Sequence, residues 1–466
     1  MKYHIAKSKI SIMNVTINKS RIFIGSCLAL LVTSLTFAMR AKIEEVFGPV
    51  DAGGIFGLSK ETIGWAFGPA FWGFTVAMVI GGFIIDIVKT KSIVWAAFIL
   101  HLIGAISFIM AHDKTTLFVA NVFIGLGNGA VEAAFNPLIA TIFPNDKTKM
   151  LNRFHVWFPG GIVIGSILAW LMMDTMQLSW QIYIGILFIP LALYGIMFWG
   201  QKIPETERVS SGVSYKGMLN AIGAPVTIIT AMTVMLLLAI DVFSLPEGWM
   251  YLALIGTFLI IAIIEAKLVR KASVIFPFMF TFMLLTASTE LVTTQWINAL
   301  LAEVGVSQML ILALITGIMA VGRYFAGNLV HRLNPTGVLL LSSIFSATGI
   351  YMLSFVSGTG MTIVASIIFA VGVCYFWPTM LGFVAEYIPR SGALGLSLLG
   401  GAGNVSVAMF LPVMGKIMEK HGETVALQSV GALPIILIGG FLILYMIYKN
   451  KKPVVLGEEA ATMSEQ

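Results

Sequence analysis

Glu132 sits in the middle of a long apolar stretch, and Asn121, Gly125, Asn128, Gly129 and Asn136 recur around it at helical spacing. A charged side chain at the bilayer centre costs about 2.5–3.5 kcal/mol on insertion scales, so it faces a cavity or a partner. Amides and glycines beside one carboxylate suit a water-filled cavity that holds a polar solute. The competing reading is a seam between helices, glued by small and polar residues. Glu290 repeats the pattern later in the chain, with Thr286, Thr293 and Thr294 on or near its face and Gln295, Trp296 and Asn298 just beyond. An indole beside amides can stack on a sugar ring whose hydroxyls the amides bind, whereas an interfacial Trp296 would belong to an aromatic belt.

Other polar side chains in apolar surroundings leave alternatives open. Arg40, in the outer part of the first apolar run, can snorkel to the surface, pair with Glu132 or hold an anionic solute. His155 suits a gate or proton relay, against a satisfied polar core residue, and His101 reads as core. Trp377, before Pro378, reaches toward a central cavity, and Asn404 lies among Gly400, Gly401 and Gly403, which permit close packing or local unwinding. No phosphate-binding loop, His/Cys metal spacing or nucleophile elbow is present. The expectation is therefore no catalytic residue, no metal and no cofactor, with a small-molecule solute as partner that is driven by a gradient or runs downhill.

These residues must be positioned by membrane-spanning helices. Of 466 residues only 11% are charged and 58% are hydrophobic, with a mean hydropathy of +0.95. Lipid must cover part of that apolar surface. Cys27 and Cys374 lie in apolar runs and read as packing residues. About 20 apolar residues cross a bilayer, which predicts spans at Ile22–Ile43, Thr62–Ile85, Val94–Ala111, Thr116–Ile142, Phe154–Met173 and Trp180–Gly200. Two more follow at Met218–Ile240 and Gly248–Leu268. The last six are Phe276–Leu301, Gln308–Val330, Thr336–Val356, Thr362–Tyr387, Gly392–Met418 and Ala426–Ile447. That makes about fourteen.

Loop charge gives an independent check. Asp86 to Lys91, Asp146 to Arg153, Lys202 to Lys216, Lys267 to Lys271, Arg323 to Arg332 and Lys449 to Lys452 are basic and fall on one side, the cytoplasmic one by the positive-inside rule. Both termini are expected there, in a bacterial inner or other plasma membrane. The formal charge of +6 collects in these loops, which argues against a nucleic-acid partner. Lys2, Lys7, Lys9, Lys19 and Arg21 precede a long apolar run without a small-residue cleavage site, so the first span is read as retained. Phe135-Asn136-Pro137 and Phe376-Trp377-Pro378 mark a repeat. The expected fold class is an all-α integral membrane protein and a monomer. It has an N-terminal six-helix bundle (22–200), two additional central helices (218–270) and a C-terminal six-helix bundle (271–448). Residues 1–21, 201–217 and 449–466 are expected on the cytoplasmic side.

The stretch Gly125-Leu-Gly-Asn-Gly-Ala-Val-Glu132-Ala-Ala-Phe-Asn136-Pro137, followed by Leu151-Asn152, resembles the fucose permease branch of the major facilitator superfamily. Phe376-Trp-Pro378-Thr379 and Gly400-Gly401…Pro412…Gly415 are similar to the same branch. Gly82-x-x-x-Asp86 resembles the superfamily's loop between helices two and three, and Gly322-Arg323…Gly327…Arg332 its echo. Gly82, Asp86, Arg323 and Arg332 are thereby implied in a gating loop. Pro204-Glu205-Thr206-Glu207-Arg208 is similar to the end of helix six in sugar porters. The resemblance implies a major facilitator fold and proton-coupled uptake of a neutral sugar by alternating access, with Glu132 as the helix-four carboxylate. The branch's first-helix acid has no counterpart here; Arg40 stands in that part of the chain. Against a sugar symporter stand a drug or metabolite exporter, loosely echoed by Pro159-Gly160-Gly161, and a membrane enzyme or transporter-like receptor.

Overall fold

The computed structural model describes residues 17–50, 54–240, 247–268, 273–294, 308–355 and 358–456, and these are almost wholly α-helical. Helices suit lipid because every backbone hydrogen bond closes within the segment. The first six are α1 (Lys19–Phe47), α2 (Thr62–Val88), α3 (Thr90–Ile109), α4 (Lys114–Ile142), α5 (Lys147–Thr175) and α6 (Trp180–Phe198). A pair bent by 61°, Tyr215–Ile222 with Pro225–Met235, forms α7, and Glu247–Leu268 forms α8. Then come α9 (Ile275–Val292), α10 (Ile311–Phe355), α11 (Thr359–Tyr387), α12 (Pro389–Phe410) and α13 (Lys420–Tyr448).

The expected count of about fourteen spans is corrected. Among the described residues eleven helices are long and apolar enough to cross a membrane, or twelve if the bent pair is one span. The expected tenth and eleventh spans are two helices that meet end to end at Asn334, whose φ of 52° kinks the chain between them. Asn334 Oδ1 accepts from the backbone of Thr336 (3.0 Å) and Gly337 (3.1 Å), so the helix restarts without a loop. The helix Glu247–Leu268 stands outside the set of eleven.

Local chemistry sets several of the ends. Asp113 caps α4 by accepting from Thr116 N at 2.7 Å, and that bond holds its carboxyl below the ordinary range. Arg21 caps the far end of α6, donating to the carbonyls of Met197 (2.9 Å) and Ile196 (2.7 Å). In α7, Gly223 takes φ 86° before Pro225, which breaks the helix. The second arm restarts under the buried Glu265 of α8, whose carboxylate accepts from Val226 N (3.1 Å) and Thr227 N (2.7 Å).

The polar stripe on α4 divides between two neighbours. Gly125 and Gly129 face α2, where an added Cβ would collide with the carbonyls of Pro69 and Phe74. They follow the seam reading, and only part of the stripe reaches the cavity. Gly129→Val is expected to cost about 1–3 kcal/mol through forced separation of α2 and α4. A melting temperature equal to that of the unsubstituted protein in detergent would refute this packing.

Candidate solute site and gate

Asn136 follows Glu132 by one helical turn, and its Nδ2 donates to Glu132 Oε2 at 2.5 Å. His155 Nε2 lies 3.1 Å from Asn136 Oδ1 and 3.8 Å from Glu132 Oε2, and all three side chains are buried. Across from them, Arg323 of α10 donates from Nη2 to Glu290 Oε1 of α9 at 2.9 Å. Its Nε donates to Cys374 O at 2.7 Å and its Nη1 to His155 O at 3.2 Å. Glu290 stands in a π-helical turn, Ser288–Val292, a distortion frequent at functional sites. The other oxygen, Oε2, is buried and has no hydrogen-bond partner among the described residues.

Both carboxylates line one small cavity between the N- and C-terminal helices. Phe37, Phe74 and Phe158 supply aromatic walls, with Leu291, Trp377 and Asn404 opposite. Phe37 meets Phe158 edge-on at 5.6 Å between centroids. The structure therefore brings Glu132, Asn136, His155, Glu290, Trp377 and Asn404 together. Gln295 and Trp296 lie outside the described residues.

The remaining candidates lie elsewhere. Asn128 donates to Thr36 Oγ1 (3.1 Å) and meets His101 Nε2 (2.9 Å), so it ties α1, α3 and α4 together, and His101 is a buried histidine bonded through Nε2. Arg40 pairs with Glu44 (3.5 Å), not with Glu132, and its guanidinium lies 4.5 Å from the Phe71 ring centroid. Arg323, expected in a basic loop, is corrected to a mid-helix position. The bend at Asn334 is eleven residues further on, which puts Arg323 about 16 Å inside along the helix axis.

Asp86 and the segment after α6 meet at the end of the molecule that carries the basic loops. Asp86 accepts from Thr206 Oγ1 (2.5 Å) and Arg208 Nε (2.6 Å). Gly82 lets α2 approach α12, since a Cβ there would lie 2.6 Å from Ser397 Cβ. Arg332 is exposed at the same end, beside His331, which lies 3.4 Å from Asp146. The residue that joins the N- and C-terminal helices here is one the sequence did not single out. Lys147, buried, donates to both oxygens of Glu207 (2.8 and 2.6 Å) and to Ala385 O (3.0 Å).

From Lys147 inward, α5 and α11 are joined in antiparallel register. Thr148 N donates to Glu386 Oε1 (2.9 Å), Asn152 Nδ2 to Thr379 Oγ1 (3.3 Å), and His155 O and Cys374 O share Arg323. This zipper lies between the cavity and the basic end.

The sequence pattern of the Major Facilitator Superfamily matches residues 22–389. The chain belongs to that superfamily. It is a secondary transporter of small solutes, not an enzyme. No curated protein matches its sequence. The fold is shared with three solved structures of this superfamily member's kind, all distant in sequence. FucP, captured in the outward conformation, is similar at 15% identity and a TM-score of 0.61, over 91% of this chain and 98% of that one. The proton:xylose symporter XylE bound to 6-bromo-6-deoxy-D-glucose is similar at 14% identity and 0.64, over 95% and 98%. The human organic anion transporter MFSD10 is similar at 12% identity and 0.64, over 91% and 99%. The likeness is one of fold.

Proposed function

We propose that this superfamily member is a proton-coupled importer of a small uncharged, hydroxylated solute, a sugar or sugar-like metabolite. Glu132 carries the proton. The observation that supports this reading is the charge inventory of the cavity. Two carboxylates, Glu132 and Glu290, face one guanidinium, and Nε, Nη1 and Nη2 of Arg323 each donate to a protein oxygen. One proton and a neutral solute balance that excess negative charge, whereas an anionic solute meets no disengaged cation among the described lining residues. The basic end is the cytoplasmic side of a plasma membrane, with both termini inside. Residues 218–270 are an addition between an N-terminal bundle (22–200) and a C-terminal bundle (271–448), and the transporter works as a monomer.

The test is uptake of labelled L-fucose, D-xylose and D-glucose into proteoliposomes under an imposed proton gradient. Accumulation is expected to collapse with an uncoupler. Glu132→Gln is expected to abolish accumulation yet retain sugar-for-sugar exchange, because exchange needs no net proton movement. Accumulation by that variant would remove Glu132 from the coupling step.

A second reading has its own support. Phe37, Phe74, Phe158 and Trp377 beside excess negative charge also suit an aromatic or aliphatic amine. Such a transporter would export the amine in exchange for a proton. Proton-driven efflux of an amine, without sugar uptake, would replace the first reading with the second.

A further inference from the structure

Arg323 is buried and holds backbone carbonyls on two different helices. In an uninterrupted helix those carbonyls would be occupied. The acceptor at position i takes the N–H of residue i+4, and here both i+4 residues are prolines. Pro159 follows His155 by four residues, and Pro378 follows Cys374 by four. A proline has no N–H to give. His155 O is left with only a long 3.4 Å contact from Phe158 N, and both helices break at these points, at His155 in α5 and at Cys374 and Tyr375 in α11.

We propose that Arg323 is a positioning residue, a mid-membrane latch between the N- and C-terminal helices that docks on the two carbonyls which Pro159 and Pro378 deprive of helical donors. Glu290 aims it, holding Nη2 while Nε and Nη1 take the carbonyls. The latch is the innermost rung of the α5–α11 zipper, above Asn152–Thr379 and Thr148–Glu386, and like Lys147–Ala385 at the outer end it is made by a charged donor. Its partners also connect it to the proton site. The ring of His155 reaches Asn136, which holds Glu132, while the carbonyl of the same residue holds Arg323. Movement of His155 when the cavity fills therefore acts on the latch directly. The groups facing Arg323 are Glu290 from α9, His155 from α5 and the Cys374 carbonyl from α11, with Glu132 of α4 on the same cavity. The latch rests on alternating access by this transporter, but its test requires no solute.

Spin labels are placed at Lys91→Cys and Lys449→Cys, both exposed at the basic end and on opposite sets of helices. Distances are measured in nanodiscs on the full chain, without sugar. Pro159→Ala and Pro378→Ala each restore a helical N–H that competes with Arg323. Alanine is far better than proline inside a helix, so thermal stability is expected to hold or rise. The population of a longer-distance state is nevertheless expected to grow about tenfold. Arg323→Lys should act like Arg323→Gln in this measurement, because one ammonium cannot reproduce the guanidinium fork. Distance distributions of Pro159→Ala and Pro378→Ala that coincide with the unsubstituted protein would overturn the latch. So would a lengthening seen only together with a lowered melting temperature, since that is loss of structure. Failure of sugar uptake alone would reject the proposed solute and leave the latch standing.

Discussion

Glu290→Ala is expected to lower the stability of the protein by about 3–5 kcal/mol, the range for a buried ion pair deprived of one partner. Arg323 and Glu290 are both buried, and the guanidinium left behind would keep two carbonyls but no carboxylate bonded to it. Removing both charges in Glu290→Gln with Arg323→Gln is expected to restore part of the loss, because the uncompensated charge is what makes the single change costly. Glu132→Gln provides the contrast. An amide there can still bond to Asn136 with both amides reoriented, and no guanidinium is orphaned, so a loss of only about 1 kcal/mol is expected. Thermal unfolding in detergent separates these outcomes. A double variant less stable than either single one would show that the pair is not the source of the effect.

The sequence carries the helices and the depth of the buried acids, because lipid imposes strict demands on both. Hydropathy places Glu132 and Glu290 in mid-helix, and Asn334-Pro335 is a bend signal that sets the depth of Arg323 as well. Loop charge misplaced Arg323 because a basic residue within about ten positions of a turn looks the same in sequence as one in the turn itself. Which helix faces which is less legible. Gly125, Gly129 and Asn136 share one stripe of α4, yet the glycines meet α2 and the amide meets Glu132 and His155. Lys147 looked like one more inner charge, since its partners Glu207 and Ala385 are distant in sequence. The junction of the expected tenth and eleventh spans is equally hidden, because a single Asn cap joins the two helices with no loop between them. The aromatic walls Phe37, Phe74 and Phe158 carry no motif at all, and only the packing of α1, α2 and α5 brings them together.

Lys147→Ala is expected to open the basic end far more than it destabilises the fold. Lys147 is 1% exposed while its partner Glu207 is 20% exposed, so the two sides of the pair respond differently to its loss. Glu207 can rehydrate, and alanine leaves no buried charge behind, which keeps the stability cost modest. What is lost is the tie from α5 to Glu207 and, across the two sets of helices, to Ala385 O. A hydrogen bond from a charged group is worth about 1.5–3 kcal/mol, equivalent to roughly 10–100-fold in the balance between closed and open forms. Accessibility of a cysteine introduced at Thr379, on the inner rung of the zipper, reads that balance. Labelling should quicken in Lys147→Ala and in Glu207→Gln, and stay slow in Lys149→Ala, whose ammonium makes only a 3.5 Å contact with Asp146. Because Lys147 is sealed from solvent, raising ionic strength should leave labelling of the unsubstituted protein unchanged, unlike a gate built from exposed ion pairs. Equal labelling rates in Lys147→Ala and Lys149→Ala would mean that the closed form is held by packing along α5 and α11, with the ion pair as a passenger.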